Sequence, residues 1–319
     1  MYSCQQVLLP KNSDALPFIE FICSEANKLA NCAIYYARQI WFKKQKIVKK
    51  YALDYQLKSN PHFKALRSAV AQQVLHKVGE SFSSYSKLRS MYFRQEIENL
   101  PKPPKYKKKG GMSIISYPAR WLKLVDNQIV FSLGKQVKAW FGVDSFRITM
   151  PSNLNFYDLK EVRFLPKNQC FYAEVVTESK QFRSDVNSQN FLAIDHGLDN
   201  WLTCVSSVGK SFILNGRKVK SQNQWYNKQV ASLKKNKPQG FWHEDLAAIT
   251  EKRNRQMRDN VNKAARFVIN WCLEHQIGTV IFGWNERQKD RINIGVTANC
   301  EQMEYSKGYL IGSKNSPQC

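Results

Sequence analysis

Phe191-Leu-Ala-Ile-Asp-His-Gly-Leu-Asp-Asn-Trp-Leu-Thr-Cys-Val-Ser206 is the stretch whose reading decides the fold. Phe191 to Ile194 are apolar without a break, the pattern of a strand buried on both faces. Asp195 follows at once, where a charge cannot stay buried unpaired, so it marks the strand's end. Gly197 and Asp199-Asn200 supply turn chemistry. Trp201 to Val205 then resume the apolar run, and Gly209-Lys-Ser-Phe-Ile-Leu-Asn-Gly216 offers a third strand. The stretch predicts a three-strand meander with a carboxylate at the end of its first strand.

Downstream, two helices are predicted, at about residues 218–235 and 241–276. In the second, Met257, Val261, Ala264, Ala265, Val268 and Cys272 form one apolar stripe that reads as core. Arg253, Arg255 and Arg258 occupy much of the rest, with Lys252, Lys263 and Arg266. They suit a helix lying against a duplex backbone. Trp225 and Tyr226 lie on the first helix. Gly278-Thr-Val-Ile-Phe-Gly-Trp284 is a fourth strand, parallel to the first if the crossover helices share one face. Two readings of Asp195 stay open: a strand-end residue capping a turn, or the metal-holding aspartate with which ribonuclease-H-like nuclease folds begin.

Upstream, Gln6-Val-Leu-Leu9 is a short strand, and residues 18–100 are a helical block. Phe18, Ile19, Ile22, Ala26, Leu29 and Ala30 recur at helical spacing, as do Leu66, Val70, Val74, Val78, Phe82 and Tyr85. Between them lies Lys43-Lys-Gln-Lys-Ile-Val-Lys-Lys50, with five lysines in eight residues. Lys43, Lys44 and Lys46 fit either a solvated helix face or a phosphate-contacting surface. Asn99-Leu-Pro-Lys-Pro-Pro-Lys-Tyr-Lys-Lys-Lys-Gly-Gly111 ends the block. Lys102, Lys105, Tyr106, Lys107, Lys108 and Lys109 suit an extended arm along a sugar-phosphate backbone, or a merely soluble linker. Residues 113–180 are short β-branched and aromatic runs separated by turn residues, which predicts a small antiparallel barrel or sandwich. The N-terminal strand is expected to join it, making the helical block an insertion. Polar residues 178–190 read as a linker.

The chain has 319 residues, 43% hydrophobic and 13% aromatic, which excludes a disordered protein. Its 49 basic and 25 acidic residues leave a net charge of +24. Such an excess implies a polyanionic partner, nucleic acid before an anionic membrane because the basic residues are spread throughout. None of the eight cysteines forms a C-x-x-C pair, so no zinc site is expected. The N-terminus lacks the basic head and apolar run of a signal peptide. No run reaches the roughly 18–20 apolar residues that span a membrane. The expected home is the cytoplasm, beside the nucleoid.

These motifs together resemble the TnpB (OrfB) family of transposon-encoded RNA-guided nucleases, relatives of type V CRISPR effectors. The resemblance is carried by Ala193-Ile-Asp-His-Gly-Leu-Asp-Asn-Trp-Leu-Thr203, Ser221-Gln-Asn-Gln-Trp-Tyr-Asn-Lys228, Ile249-Thr-Glu-Lys-Arg-Asn-Arg-Gln-Met-Arg-Asp259 and Val280-Ile-Phe-Gly-Trp-Asn285. Tyr117-Pro-Ala-Arg-Trp-Leu-Lys123, containing Arg120, resembles the family's N-terminal half. The resemblance implies an α+β multidomain protein. A wedge-like β-barrel takes residues 1–17 and 101–185, a helical recognition insertion 18–100, and a partial RuvC-like nuclease domain 186–295. It implies a guide RNA and target DNA as partners and Mg²⁺ held by three carboxylates. Asp195 matches the first of these.

The second carboxylate of most relatives would fall at Gly283, and the family's later cysteine pairs and final aspartate have no match here. Residues 296–319 read as an aberrant tail, with the expectation of a frameshift or premature stop near Gly295. Glu286, Asp290, Glu301 and Glu304 are the acids near enough in sequence to substitute. Two functional classes are therefore expected: a Mg²⁺-dependent RNA-guided endonuclease, here impaired, or a non-catalytic RNA- and DNA-binding relative. A decayed product that does not fold stably is a third outcome.

Overall fold

A computed structural model of the chain describes residues 2–178 and 185–283. Residues 284–319, including Glu286, Asp290, Glu301, Glu304 and the tail, lie outside the described residues. The chain divides into two compact units, residues 1–181 and 182–319.

In the first unit, strand β1 (Tyr2–Leu8) precedes helix α1 (Leu16–Lys44), whose first turn holds Pro17, a residue suited to that place. Ile19, Ile22, Ala26, Leu29, Ala33 and Ala37 are buried along one face, so the helical spacing in the sequence is the core stripe. Helix α1 stops at Lys44 because Gln45 turns left-handed, with φ 51°, and its N–H bonds back to the Trp41 carbonyl at 2.8 Å. Val48 then turns into the core. The lysine run is thus a helix end followed by a loop, not one solvated helical face. Helices α2 (Lys50–Leu57), α3 (Pro61–Ala65) and α4 (Ser68–Phe93) complete the block.

Strands β2 (Ile115–Pro118), β3 (Lys123–Val125) and β4 (Gln128–Ser132) follow. Helix α5 (Lys135–Phe141) comes next, then β5 (Ser145–Thr149), β6 (Leu159–Lys167) and β7 (Cys170–Glu178). The sequence pattern does not show α5, since it has one buried residue, Val137, and so no periodic stripe. It closes on Gly142, whose φ of 68° is the left-handed cap that glycine adopts at little cost. Two antiparallel sheets result, β1-β7-β6-β2 and β3-β4-β5. The N-terminal strand does pair with β7, Tyr2 opposite Glu178 through Leu8 opposite Tyr172, so the helices lie between two strands of one sheet.

A shared aromatic core joins the sheets. Phe131 stacks on Phe146 at 4.9 Å and meets Tyr117 and Phe164 edge-on at 5.1 Å each. Phe18 from α1 reaches the same cluster through Phe146 and packs on Phe141 of α5 at 4.9 Å.

The second unit contains the meander: β8 (Asn187–His196), β9 (Asn200–Ser206) and β10 (Ser211–Asn215). Helices α6 (Arg217–Lys234) and α7 (Glu244–Glu274) lead to β11 (Ile277–Phe282). The sheet order is β10-β9-β8-β11, with β11 parallel to β8. That is the placement the sequence predicts for the fourth strand. Helix α7 begins where the His243 side chain caps it, followed by Glu244 and Asp245, whose charges favour a helix N-terminus. Its later turns lay Val268 and Cys272 over Leu192, Ile194, Leu202 and Cys204. On the other face Phe191, Val205, Ile213 and Ile281 are exposed.

One buried carboxylate ties the helical block together. Glu25 of α1, 7% exposed, takes Lys28 Nζ at 2.6 Å and His62 Nδ1 of α3 at 2.7 Å. Burial pushes its pKa up, but the hydrogen bonds from Lys28 and His62 outweigh that, and the net shift is downward. A depressed folded pKa contributes stability above the unfolded carboxylate value of about 4.3, lost as pH falls through the folded value. Glu25→Gln is expected to lose about 2 kcal/mol at pH 7 and to show a shallower loss of melting temperature in acid. Thermal melts of both proteins from pH 7 to pH 3 measure this.

Candidate functional site

Asp195 is the penultimate residue of β8 and pairs with Thr203 across the ladder. Leu192 and Ile194 of the same strand both point into the core, and the alternation sends Asp195, next after Ile194, to the exposed face. The continuous apolar run is therefore half-buried here, with Leu192 and Ile194 inside and Phe191 outside. His196 stacks on Phe282 at 5.8 Å, and burial lowers its pKa, opposed by the neighbouring Asp195 charge. Asp199 accepts from Lys220 Nζ at 2.8 Å and is committed to that pair.

Residue 283 follows β11 directly, with its N–H on the Ile194 carbonyl at 3.1 Å. A Cβ built there would stand 3.7 Å from Asp195 Oδ1, an ordinary contact. The position across from Asp195 is thus a place where a second acid would fit, and it holds glycine. Among the described residues no group of three or more His, Cys, Asp or Glu side chains comes together for a metal ion. One exposed carboxylate does not fit a site for two Mg²⁺ ions, which requires several fixed oxygen ligands.

The basic residues divide by environment. Lys43, Lys44 and Lys46 are exposed at the end of α1 and in the loop after it. Lys102, Lys105, Tyr106, Lys107, Lys108 and Lys109 are exposed on a segment without regular structure. That segment is docked. Asn31 Oδ1 accepts from the Lys107 N–H at 2.8 Å and its Nδ2 donates to the Lys107 carbonyl at 3.1 Å. Asn27 holds the Lys108 carbonyl at 2.9 Å, and Arg38 the Pro104 carbonyl at 3.0 Å. Arg120 is exposed, with its guanidinium over Trp121 at 5.5 Å.

On α7, Arg255 and Arg258 are half-exposed, and Lys252 lies over the exposed Trp225 ring at 5.7 Å. Arg253 corrects the sequence expectation. It is 6% exposed, donates to Asn223 Oδ1 at 2.8 Å and Asn254 Oδ1 at 3.2 Å, and lies over Tyr226 at 5.3 Å. It packs α6 on α7 and does not present a charge to a duplex. An arginine beside an apolar stripe reads as solvent-facing until a partner helix covers it.

Several ring-and-cation pairs go unnoticed in the sequence. Arg38 lies over the rings of Phe42 and Tyr106, at 5.3 Å from each, and Arg89 over those of Trp41 and Phe93, at 5.0 and 5.3 Å. Lys58 lies over Tyr55 at 4.8 Å and Lys50 over Tyr51 at 5.4 Å. Phe42, Tyr51, Tyr55 and Phe93 are all more than half exposed. The signal was present: Arg38 with Phe42 and Arg89 with Phe93 are each four residues apart on one helix face. Exposed rings flanked by cations are the equipment of surfaces on which bases stack beside phosphates.

Residues 173–288 match the family model OrfB_IS605, described as "Probable transposase". The matched segment runs from β7 through β11, so it contains Asp195 and Gly283. No curated protein matches the chain. Among solved structures, the chain is similar to one described as a Cas12f1–sgRNA–target DNA complex. The match has 13% identity and a TM-score of 0.53, over 92% of this chain and 71% of that one. A structure described as a CRISPR-Cas12f ternary complex aligns at 12% identity with a TM-score of 0.34, over 93% and 70%. The first likeness is one of fold, and the second is too low to add to it.

Two outcomes follow from this geometry. Gly283→Asp is expected to bind Mn²⁺ more tightly than the native chain, by about tenfold for one added carboxylate ligand. The gain should vanish in the Gly283→Asp/Asp195→Asn double variant, as read by titration of free Mn²⁺. Arg253→Ala is expected to destabilise the second unit by about 3 kcal/mol, because it leaves the buried Asn223 and Asn254 oxygens without their donor and opens a void between α6 and α7. A denaturant melt would show it as a shifted midpoint.

Proposed function

We propose that this chain is a TnpB-like nucleic-acid-binding protein whose first unit engages a guide RNA and target DNA. In this reading the sheets of the first unit are the wedge-like barrel and α1 to α4 the recognition insertion. The second unit is a RuvC-like domain, catalytically impaired because glycine stands at position 283 beside Asp195. The OrfB match and the fold likeness to a Cas12f1 chain support the lineage. The observation that carries the binding role is the set of exposed rings and cations on the helical block, in a chain of net charge +24. Sequence would be read by base pairing, with the protein holding duplex shape and backbone. No hydrolytic step is assigned, because the acids among the described residues do not fit the Mg²⁺ site such chemistry requires.

A second reading, an active Mg²⁺-dependent nuclease, is favoured by one feature: Asp195 is exposed at the strand end with room beside it at position 283. Mg²⁺-dependent cleavage lost in Asp195→Ala would establish that reading, whereas equal cutting by the variant would remove Asp195 from the site.

The binding role predicts that the chain purifies with RNA and that affinity falls linearly in log–log form as salt rises. Arg38→Ala with Arg89→Ala is expected to weaken RNA binding about tenfold. Purified protein free of RNA, with no salt-dependent affinity for added RNA, would overturn the proposal.

A further inference from the structure

A cavity of about 290 Å³ opens where the docked arm crosses the helical block of the first unit. Its wall is apolar on one side, formed by Ala30 and Ile34 of α1 and Val74 and Val78 of α4. Lys77 and Ser81 of α4 and Lys105 and Lys107 of the arm line the rest. The bonds from Asn31 and Arg38 to the Lys107 and Pro104 backbone hold the arm in place on either side of Lys105. The cavity is thus formed before any ligand arrives, which lowers the entropy cost of binding.

Its chemistry is two-sided. Three lysines line it beside aliphatic walls that provide no anion. Partial desolvation of their stems lowers the pKa of Lys77 and of Lys107, while both side chains stay reachable from solvent. Glu161 and Glu80 act on Lys77 from nearby, but the Glu161 carboxylate is already held by Ser116 and Arg163. The cavity therefore suits a ligand with a flat apolar part and an attached anion. Its volume is near the lower end of the roughly 300–1,000 Å³ of small-ligand pockets, room for a single nucleotide and not for a paired duplex.

We propose that this cavity takes one unstacked nucleotide of a single strand, the base against Ile34, Val74 and Val78 and the phosphate among Lys77, Lys105 and Lys107. Bases splayed out of single strands are bound in this way, with apolar or aromatic faces below and cations along the backbone. Tyr106, between two of the lysines and exposed, provides a stacking surface for an adjacent base. The inference rests on the first unit being a nucleic-acid surface and adds where, and in what state, a nucleotide enters it.

The test uses the full chain and an eight-nucleotide single-stranded RNA carrying 4-thiouridine. Irradiation followed by mass spectrometry is expected to place adducts on the peptides spanning residues 74–81 or 104–107. Ser81→Trp, which fills the mouth from an exposed position, should remove those adducts and weaken RNA binding about tenfold. Binding of duplex DNA should be unchanged. If Ser81→Trp shifts the melting curve, Lys77→Ala with Lys105→Ala replaces it, both being exposed side chains. RNA binding with adducts only elsewhere overturns the cavity assignment and leaves the wider reading intact. Absence of any RNA binding overturns both. Tight binding of dodecyl phosphate with no RNA adduct there assigns the cavity to an anionic amphiphile and overturns the proposal.

Discussion

The first unit depends on the stacked pair of Phe131 and Phe146, with Tyr117 and Phe164 set edge-on against it. Each ring comes from a different strand, β4, β5, β2 and β6, so one cluster fastens both sheets. Offset and edge-on rings gain electrostatic attraction beyond the area they bury. Phe18 carries the contact into α1, and α1 in turn carries the asparagines and the arginine that dock the arm. The buried Tyr117 hydroxyl is pushed to a higher pKa by desolvation, with smaller influences from Cys23 and Arg67. It is therefore neutral in the folded core. The binding surface proposed on the helices is rigid to the extent that this aromatic contact fixes α1 on the sheets.

The two units differ in what their sheets do. The first unit buries sheets and helices in one apolar cluster. The second lays α7 across one face of a four-stranded sheet and holds α6 to α7 through polar contacts. Tyr226 meets Thr250 at 3.1 Å, Gln222 meets Asn260 at 2.7 Å, and Asn223 meets Arg253. Such contacts specify one register between two helices, since each buried polar group needs its own partner. Asp195 is on the face away from α7, and a Cβ at residue 283, just past β11, would stand 3.7 Å from its carboxylate.

Much of the second unit was legible because its signals are local. The unbroken run before Asp195, the turn residues after it and the apolar stripe of α7 each announce one element. The parallel return of β11 followed from the helices between. What sequence could not show were the pairings made across long separations. Arg253 looked like a surface charge because Asn223, its acceptor, is thirty residues away on another helix. The arm looked like a soluble linker or an extended arm along a sugar-phosphate backbone, and its docking was hidden because Asn27 and Asn31 hold it from some 76 to 81 positions upstream. Helix α5 was invisible because seven residues with one buried side chain carry no period. The glycine at 283 was plain in the sequence, but only the ladder between β8 and β11 shows that it faces Asp195.

The way the arm is held has a consequence for how this surface can change. Asn27, Asn31 and Arg38 bind backbone carbonyls and one backbone N–H, groups that nearly every residue type carries. The path of the arm is therefore decoupled from the identity of its side chains. Lysines can be gained, lost or exchanged along it while the backbone keeps its course. Charge on that strip is a variable that drift or selection can adjust one residue at a time, without a cost in folding.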